Sequence, residues 1–328
     1  MPSDNDPKNK KPRLPWLQDN PELDSAVSRI VTEYSNIKTQ KHLPRDIDHK
    51  SEQYLKRSLK DAEQGRSKAD KFMFAMSKAM DIKNPETAYV VAKMKSWDRI
   101  INKFNSAARD VKDLGRGAIY INSVDEYKAF HKILSSKTRD GELRQLNAKG
   151  VQLINGSLDD YIANPRKSGY AGSINFNIAM DIGKGRHGVF EIQVRPKAYQ
   201  DIDKKSHYLY DMIRILQEVP SSFLTEGDKQ VRDAMITANR ALFEEQACRH
   251  GFDEVRKGPP LHINAEEMRS VTGILDRLRT AIEATPGNHH EWQSEAANAL
   301  TYAKTSVMNV HMASPHSSID HGPDFDQA

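Results

Sequence analysis

Apolar residues recur at three- and four-residue steps at both ends of the chain and alternate one by one in its middle. The order of elements therefore reads as helix, then sheet, then helix. Ala26, Val27, Ile30, Val31, Tyr34 and Ile37 mark one helix face. Leu55, Leu59, Ala62, Ala69, Phe72, Met76 and Met80 mark a second helical region over about Ser51 to Met80. Asn84-Pro85-Glu86 has helix-start chemistry, with Asn at the cap and Pro in the first turn. It predicts a third helix with Val90, Val91, Met94, Trp97, Ile100, Ile101 and Phe104 inward. From about residue 111 the period changes. Gly117 to Asn122 is a β-prone run that ends at Ser123-Val-Asp-Glu126, a capping box for a helix burying Tyr127, Phe130, Ile133 and Leu134. Val151 to Ile154 reads as another strand. Ser173 to Ile182 and Val189 to Arg195 are the clearest strands, joined by Gly183-Lys-Gly-Arg-His-Gly188 as a hairpin connection.

The helical period then returns over about His207 to Gln217, Thr225 to His250, Ala265 to Ala284 and Glu291 to Met312. Gly251 closes one of these and Pro286-Gly287 separates the last two. Leu224, Val231, Met235, Ala238 and Leu242 form one apolar stripe, and Met268, Val271, Leu275, Leu278 and Ile282 another. Such stripes must be covered, either by the α/β core or within a separate interaction or self-association unit. The expected plan is a disordered tail over 1–20, a helical N-terminal extension over 21–84, an α/β (α+β) core over 85–220, a C-terminal helical region over 221–312 and a disordered tail over 313–328.

Composition narrows the setting. At 328 residues the chain can hold one large domain with helical additions or two modest domains. No run of about 18 apolar residues is present, so no membrane span is expected. Met1 to Pro15 is polar, carries Lys8, Lys10, Lys11 and Arg13, and does not read as a secretory signal peptide. The single cysteine, Cys248, excludes an intrachain disulfide and suits a reducing, cytoplasmic compartment. Secretion by a route without a cleaved signal stays open. The net charge of +4 is a weak bias, but from Lys83 to Arg116 eight basic residues stand against four acidic ones. A local excess of that kind attracts phosphates, although a charge run taken alone is more often a solvated face.

The alternating strands supply candidate chemistry. Glu191, Gln193 and Arg195 share one face of their strand, and Asn175, Asn177 and Asp181 share one face of the neighbouring run. A polar sheet face is most often solvent-facing. A carboxylate and a guanidinium in one row also fit phosphoryl chemistry, in which the first holds Mg²⁺ and the second takes phosphate oxygens. A second carboxylate is then wanted, and Asp113, just before Ala118 to Ile121, is the best candidate. Tyr161-Ile-Ala-Asn-Pro-Arg-Lys-Ser-Gly-Tyr170 reads as an ordered loop, with Tyr170 as a stacking surface for a nucleobase and Lys167 as a cation.

Together these pieces resemble the synthetase domain of the RelA/SpoT alarmone enzymes over about residues 85–215. Lys93-Met-Lys95, Arg99-Ile100 and Lys103 match the family's basic run in spacing. The segment around Asp113 resembles its Asp-containing first strand, Tyr161 to Tyr170 its Tyr-Ile-x-Asn-Pro-Lys-x-x-Gly-Tyr loop, Glu191-Ile-Gln-Val-Arg195 its Glu-Ile-Gln-Ile-Arg strand, and His207 with Tyr210 its following helix motif. The resemblance implies a nucleotidyltransferase-like mixed β-sheet and Mg²⁺-dependent pyrophosphate transfer from ATP to the ribose 3′-hydroxyl of a purine nucleotide. It further implies that Asp113 and Glu191 are catalytic and bind Mg²⁺. Lys93, Lys95, Arg99, Lys103, Arg116 and Arg195 would contact ATP, and Lys167, Tyr170, Gln193, His207 and Tyr210 the acceptor.

This chain departs from the pattern at Arg116, where the family usually has Gly, at Ala118, where it has Arg, and after Tyr170, where its histidine is missing. Lys93 stands where Arg is common, and that exchange loses bidentate geometry. Two alternatives stand beside this reading: transfer to the 3′ end of tRNA as a toxin, and a weakened fold kept for nucleotide sensing or protein binding. The expected setting is the bacterial cytosol, or a target cell's cytosol for an injected effector, with self-association through the C-terminal helices as a further expectation. No hydrolase motif precedes the core. Gly183-x-Gly-x-x-Gly188 lies between strands and is no dinucleotide loop, and His289-His290 lacks partners spaced for a metal.

Overall fold

The computed structural model describes residues 20–39, 48–97, 100–101, 114–138, 141–143, 146, 148–286 and 291–314. In chain order these form α1 (Pro21–Thr39), α2 (His49–Ala79), β1 (Tyr89–Val91), β2 (Gly115–Ile121), α3 (Val124–Ser135), β3 (Val151–Leu153), β4 (Asp159–Asp160), β5 (Ile174–Gly183), β6 (Arg186–Pro196), α4 (Gln200–Gln217), α5 (Glu226–His250), α6 (Ala265–Glu283) and α7 (Glu291–Ala313). The sheet is mixed and six-stranded, in the order β1-β2-β6-β5-β3, with β4 pairing β5. Among the described residues only the β2–β6 pairing is parallel.

The chain falls into two compact units. One holds residues 40–204 and 246–260, and the other holds 1–39, 205–245 and 261–328. The expected extension over 21–84 is thus divided, with α1 in the second unit and α2 in the first.

In the α/β unit, strict alternation makes the long hairpin. Ile174, Phe176, Ile178 and Met180 of β5, and Phe190, Ile192 and Val194 of β6, are fully buried on one face. The turn between them is tighter than the six-residue connection expected. Only Lys184 and Gly185 lie between the paired Gly183 and Arg186, and both have positive φ, 56° and 69°. That is a two-residue turn whose twist matches the flanking strands.

α2 covers the apolar face with Ala62, Ala69, Phe72, Met73 and Met76. Its backbone approaches so closely that a Cβ at Gly188 would stand 2.4 Å from the Asp61 carbonyl oxygen, and its Met73 side chain fills the space at Gly117, where a Cβ would stand 2.3 Å from Sδ. Phe72 and α3's Phe130 both set their rings against Phe176, at 6.5 and 5.6 Å. The cap of α3 forms as expected, with Ser123 Oγ accepting the Glu126 N–H at 3.2 Å. Glu126 in turn accepts the Asn122 N–H at 2.5 Å, one residue before the cap.

Two expectations are corrected. The helix predicted from Asn84 does not start there: residues 84–96 are not helical, whereas Trp97, Ile100 and Ile101 are, and residues 98–99 and 102–113 lie outside the described residues. Asn84 has a left-handed φ of 57°, and Tyr89–Val91 instead pairs antiparallel with β2. The adjacent β-branched Val90 and Val91 suit an edge strand, where packing rather than backbone preference decides. α4 starts at Gln200, ahead of His207, with Asp201 and Asp203 supplying negative charge to its first turn.

The helical unit has its own core. Ile30 and Tyr34 of α1, Leu209 and Met212 of α4, Val231 and Met235 of α5, Leu275 and Leu278 of α6 and Leu300 and Val307 of α7 belong to one buried cluster. The two stripes expected in the C-terminal helices are therefore buried together with α1 and the end of α4. No helix among the described residues is long and apolar enough to cross a membrane. Residues 1–19 and 315–328, expected to be disordered, lie outside the described residues.

Candidate functional site

Because β6 has a parallel neighbour on one side and an antiparallel one on the other, its polar face becomes the middle of a polar surface. Register sets Arg116 of β2 and Asn177 of β5 on either side of Glu191. The next row runs Val90, Ala118, Gln193, Asn175 and Asp159. In the third, Tyr120 stands beside Arg195. Gln193 Nε2 donates to Glu191 Oε1 at 2.8 Å, and Arg116 Nε stands 3.5 Å from the same oxygen. Glu191's side chain is 19% exposed and Arg116's 41%, so the carboxylate is recessed beneath a more open cation.

Arg195 is committed differently from expectation. Its Nη1 pairs with Asp203 at 2.7 Å, and it is also bonded to the Tyr170 hydroxyl. That hydroxyl donates to Ser173 Oγ at 3.1 Å, and Ser173 donates to Asn175 Oδ1 at 2.7 Å. Burial, with Asp203's negative charge second, pushes the Tyr170 hydroxyl up to about 12. Arg195 therefore acts as a brace between β6, the start of α4 and the loop that ends at Tyr170.

That loop is ordered by its own backbone. The Arg166 N–H donates to the Tyr170 carbonyl at 2.9 Å, and Gly169 takes the left-handed φ of 80° that the turn requires. Arg166 lies 3.9 Å above the Tyr161 ring centroid and 5.8 Å from that of Tyr170, while Lys167 is exposed. The other end of the loop is pinned by Asp160. It accepts from the Tyr127 hydroxyl at 2.6 Å and the Ala163 N–H at 3.0 Å, and its Oδ2 is 3.0 Å from His131 Nε2.

Burial alone would raise the Asp160 pKa, but the bonds from His131, Tyr127 and Ala163 outweigh it and hold the carboxyl below its usual value. A depressed carboxyl stabilises the fold above the unfolded pKa, and that stabilisation fades as pH falls through the folded one. Denaturant unfolding at several pH values should therefore find Asp160→Asn less stable than wild type near neutrality. The gap should close below about pH 4. A gap independent of pH would show that the carboxylate charge is not what holds the loop.

The structure thus brings Glu191, Arg116 and Gln193 into contact, and joins Arg195 to Tyr170. Lys93 and Lys95 follow β1 alongside the start of β2, where the Lys95 N–H donates to the Leu114 carbonyl at 3.3 Å. Asp113, Arg99 and Lys103 lie outside the described residues, as do His289 and His290. His207 and Tyr210 lie in the part of α4 assigned to the helical unit. Asn177, Asp159, Tyr120, Asp203 and Arg166 join the site or its support without having been singled out in these roles. Strand alternation had put Asn177 on a polar face and could have found Tyr120, but Asp159 and Asp203 depend on pairings between distant segments. Among the described residues no group of three His, Cys, Asp or Glu side chains could hold a metal ion. Comparison with protein-family models and with curated proteins returned no match for this chain.

Proposed function

We propose that this polar face works as a nucleotidyltransferase-like site, moving pyrophosphate from ATP to the ribose 3′-hydroxyl of a purine nucleotide. The observation that carries the reading is the recessed Glu191 carboxylate, with Arg116 and Gln193 gathered at one of its oxygens. Among the described residues no hydrogen bond engages its other oxygen, Oε2, which leaves an oxygen fit for a hard cation. Mg²⁺ carried by a nucleotide takes one or two protein carboxylates and completes its shell with phosphate oxygens and water. Glu191 would supply one, and Asp113 is the proposed second. Bound there, Mg²⁺ would neutralise charge building on the phosphates.

The chain's own groups account for the rest. Arg116, whose side chain is more open than that of Glu191, would take phosphate oxygens, and Lys93 and Lys95 would add cationic charge. Glu191 would accept the proton of the 3′-hydroxyl as that oxygen bonds to the β-phosphorus. The bond from the β-phosphorus to the bridging oxygen breaks, and AMP leaves. Positioning and electrostatics, with no covalent intermediate, are what such a transfer asks of a protein. Lys167 and Tyr170 would hold the acceptor, with Arg195 and Asp203 fixing Tyr170 in place.

Incubating the full chain with γ-labelled ATP and, separately, GTP, GDP, ATP or tRNA tests this by thin-layer separation. Labelled 3′-pyrophosphorylated purine nucleotide is the expected product. Label on tRNA alone would support transfer to RNA, and no transfer to any acceptor would sink the enzyme reading.

The stacking role has its own test. A base–aromatic stack is worth roughly 1–3 kcal/mol, so Tyr170→Ala should raise the acceptor KM about 10- to 100-fold while changing the ATP KM little. Tyr170→Phe keeps the ring but loses the hydroxyl's bonds to Ser173 and Arg195, and should fall between wild type and Tyr170→Ala. If Tyr170→Ala raised the KM of ATP alone, the loop would face the donor.

A further inference from the structure

The solvent side of α2, the helix whose other side lies on the sheet, carries a pattern that the proposed reaction does not use. One row of its exposed positions, at three- and four-residue steps, is Lys50, Tyr54, Arg57, Lys60, Gln64, Ser67, Lys71, Phe74 and Lys78, with Glu63 and Asp70 exposed beside it. Five residues of the row are cations and none of them is acidic. Tyr54 and Phe74 are 51% and 40% exposed, so the row presents aromatic surface as well as charge.

Pairing sharpens the contrast. All four carboxylates of α2 are engaged beside this row: Glu52 with Lys56, Asp61 with Arg186, Glu63 with Arg66, and Asp70 with the Tyr89 hydroxyl. Among the described residues none of Lys50, Arg57, Lys60, Lys71 and Lys78 has an ion pair. The acids exposed beside the row, Glu63 and Asp70, are taken by Arg66 and Tyr89, and like charges three apart, as at Arg57 and Lys60, weaken the helix slightly.

We propose that this row is a docking track for a nucleic-acid backbone. From Lys50 to Lys78 it runs about 42 Å at the helical rise, a little over one turn of duplex. A line of unpaired cations of one sign complements a polymer of evenly spaced phosphates, and such contacts act through counterion release. The apolar side of α2 is buried on the sheet, so the helix has no face left to insert into a lipid surface. Tyr54 and Phe74 add ring faces on which unpaired bases can stack. This inference stands apart from the proposed transfer, because it concerns the opposite side of the sheet and needs no nucleotide.

Fluorescence anisotropy of the full chain with a labelled 20-base RNA and a 20-base-pair duplex, across a salt series and without ATP, tests it. Five phosphate contacts predict a slope of about −4.5 for log K against log salt on duplex DNA. The triple charge reversal R57E/K60E/K71E should lower affinity at least tenfold and flatten that slope by about three. The control triple K132E/K149E/K257E removes equal charge elsewhere and should retain most of the affinity. Tyr54→Ala should weaken the single-stranded RNA more than the duplex. Unchanged binding in the α2 triple, equal loss in the control triple, or binding to anionic phosphatidylserine vesicles with none to either nucleic acid would each overturn the proposal. Glu191→Gln should leave the binding intact, which separates this surface from the transfer site.

Discussion

Glu191→Gln is expected to lower the rate of pyrophosphate transfer by at least about a thousandfold while leaving the protein folded. The substitution keeps the length and planarity of the side chain. The amide can still take a hydrogen bond from Gln193, and β6 loses nothing it buries, since Phe190, Ile192 and Val194 point to the opposite face. What disappears is the charge that would hold the cation and accept the 3′-hydroxyl proton. Losing both is worth on the order of 4 kcal/mol of barrier, which is the thousandfold expected. Asp113→Asn should behave alike. Single-turnover rates measured beside thermal melting decide the matter. Near wild-type turnover in Glu191→Gln with an unchanged melting temperature would remove Glu191 from the chemistry. A loss of activity that follows a loss of folding would leave only a structural role.

The largest effect expected on stability lies across the sheet from that site. A valine at Gly188 would place its first side-chain carbon 2.4 Å from the Asp61 carbonyl oxygen, in a contact between two backbones. Neither can give way as a flexible side chain would. Overpacking ordinarily costs about 1–3 kcal/mol, and a backbone collision belongs at or above the top of that range. Gly188→Val should therefore leave the α/β unit largely unfolded at temperatures where the wild type is stable. Gly156→Ala makes a fair comparison. Gly156 has a φ of 70° with no atom within 4 Å of the added carbon, so only backbone strain should be felt. Urea unfolding of the two variants reads the difference. A Gly188→Val protein within about 1 kcal/mol of wild type would mean that α2 does not press on β6 as described.

The legible parts of this fold were those whose patterns are local. Helices α1, α2, α5, α6 and α7 announced themselves by long apolar periodicities, and the β5–β6 hairpin by alternation. β1 was misread because Val90 and Val91 fit a helix face as well as an edge strand. The deciding fact was a pairing with β2, 28 residues further on, between Val90 and Ala118. The site divides in the same way. Strand alternation placed Glu191, Gln193 and Arg195 on one face and Asn175 and Asn177 on another, and the structure joins those faces. That Arg195 would be taken by Asp203 was not readable, because the apolar period that marks α4 begins only at about His207. Asp159 reached the polar face only through a two-residue strand, too short to leave a pattern. The choice between a shared and a separate core for the C-terminal helices was equally hidden. It turned on α1, whose partners lie at the far end of the chain.

That last arrangement has a consequence for how the protein is made. Asp24 of α1 forms an ion pair with Arg277 of α6 across 253 residues of sequence, within one unit. At about 5–20 residues per second, α1 leaves the ribosome roughly 10–50 seconds before the helix that covers it. Throughout that interval Ile30 and Tyr34, which end with no solvent exposure at all, lack the α6 and α7 part of the core that finally covers them. The α/β unit has nearly all of its chain well before then, lacking only residues 246–260. α1 is thus synthesised long before α6 and α7 complete its core, and the nascent chain carries a partly uncovered apolar stripe over that interval. Holdase chaperones, which bind such stripes, would meet this protein at α1.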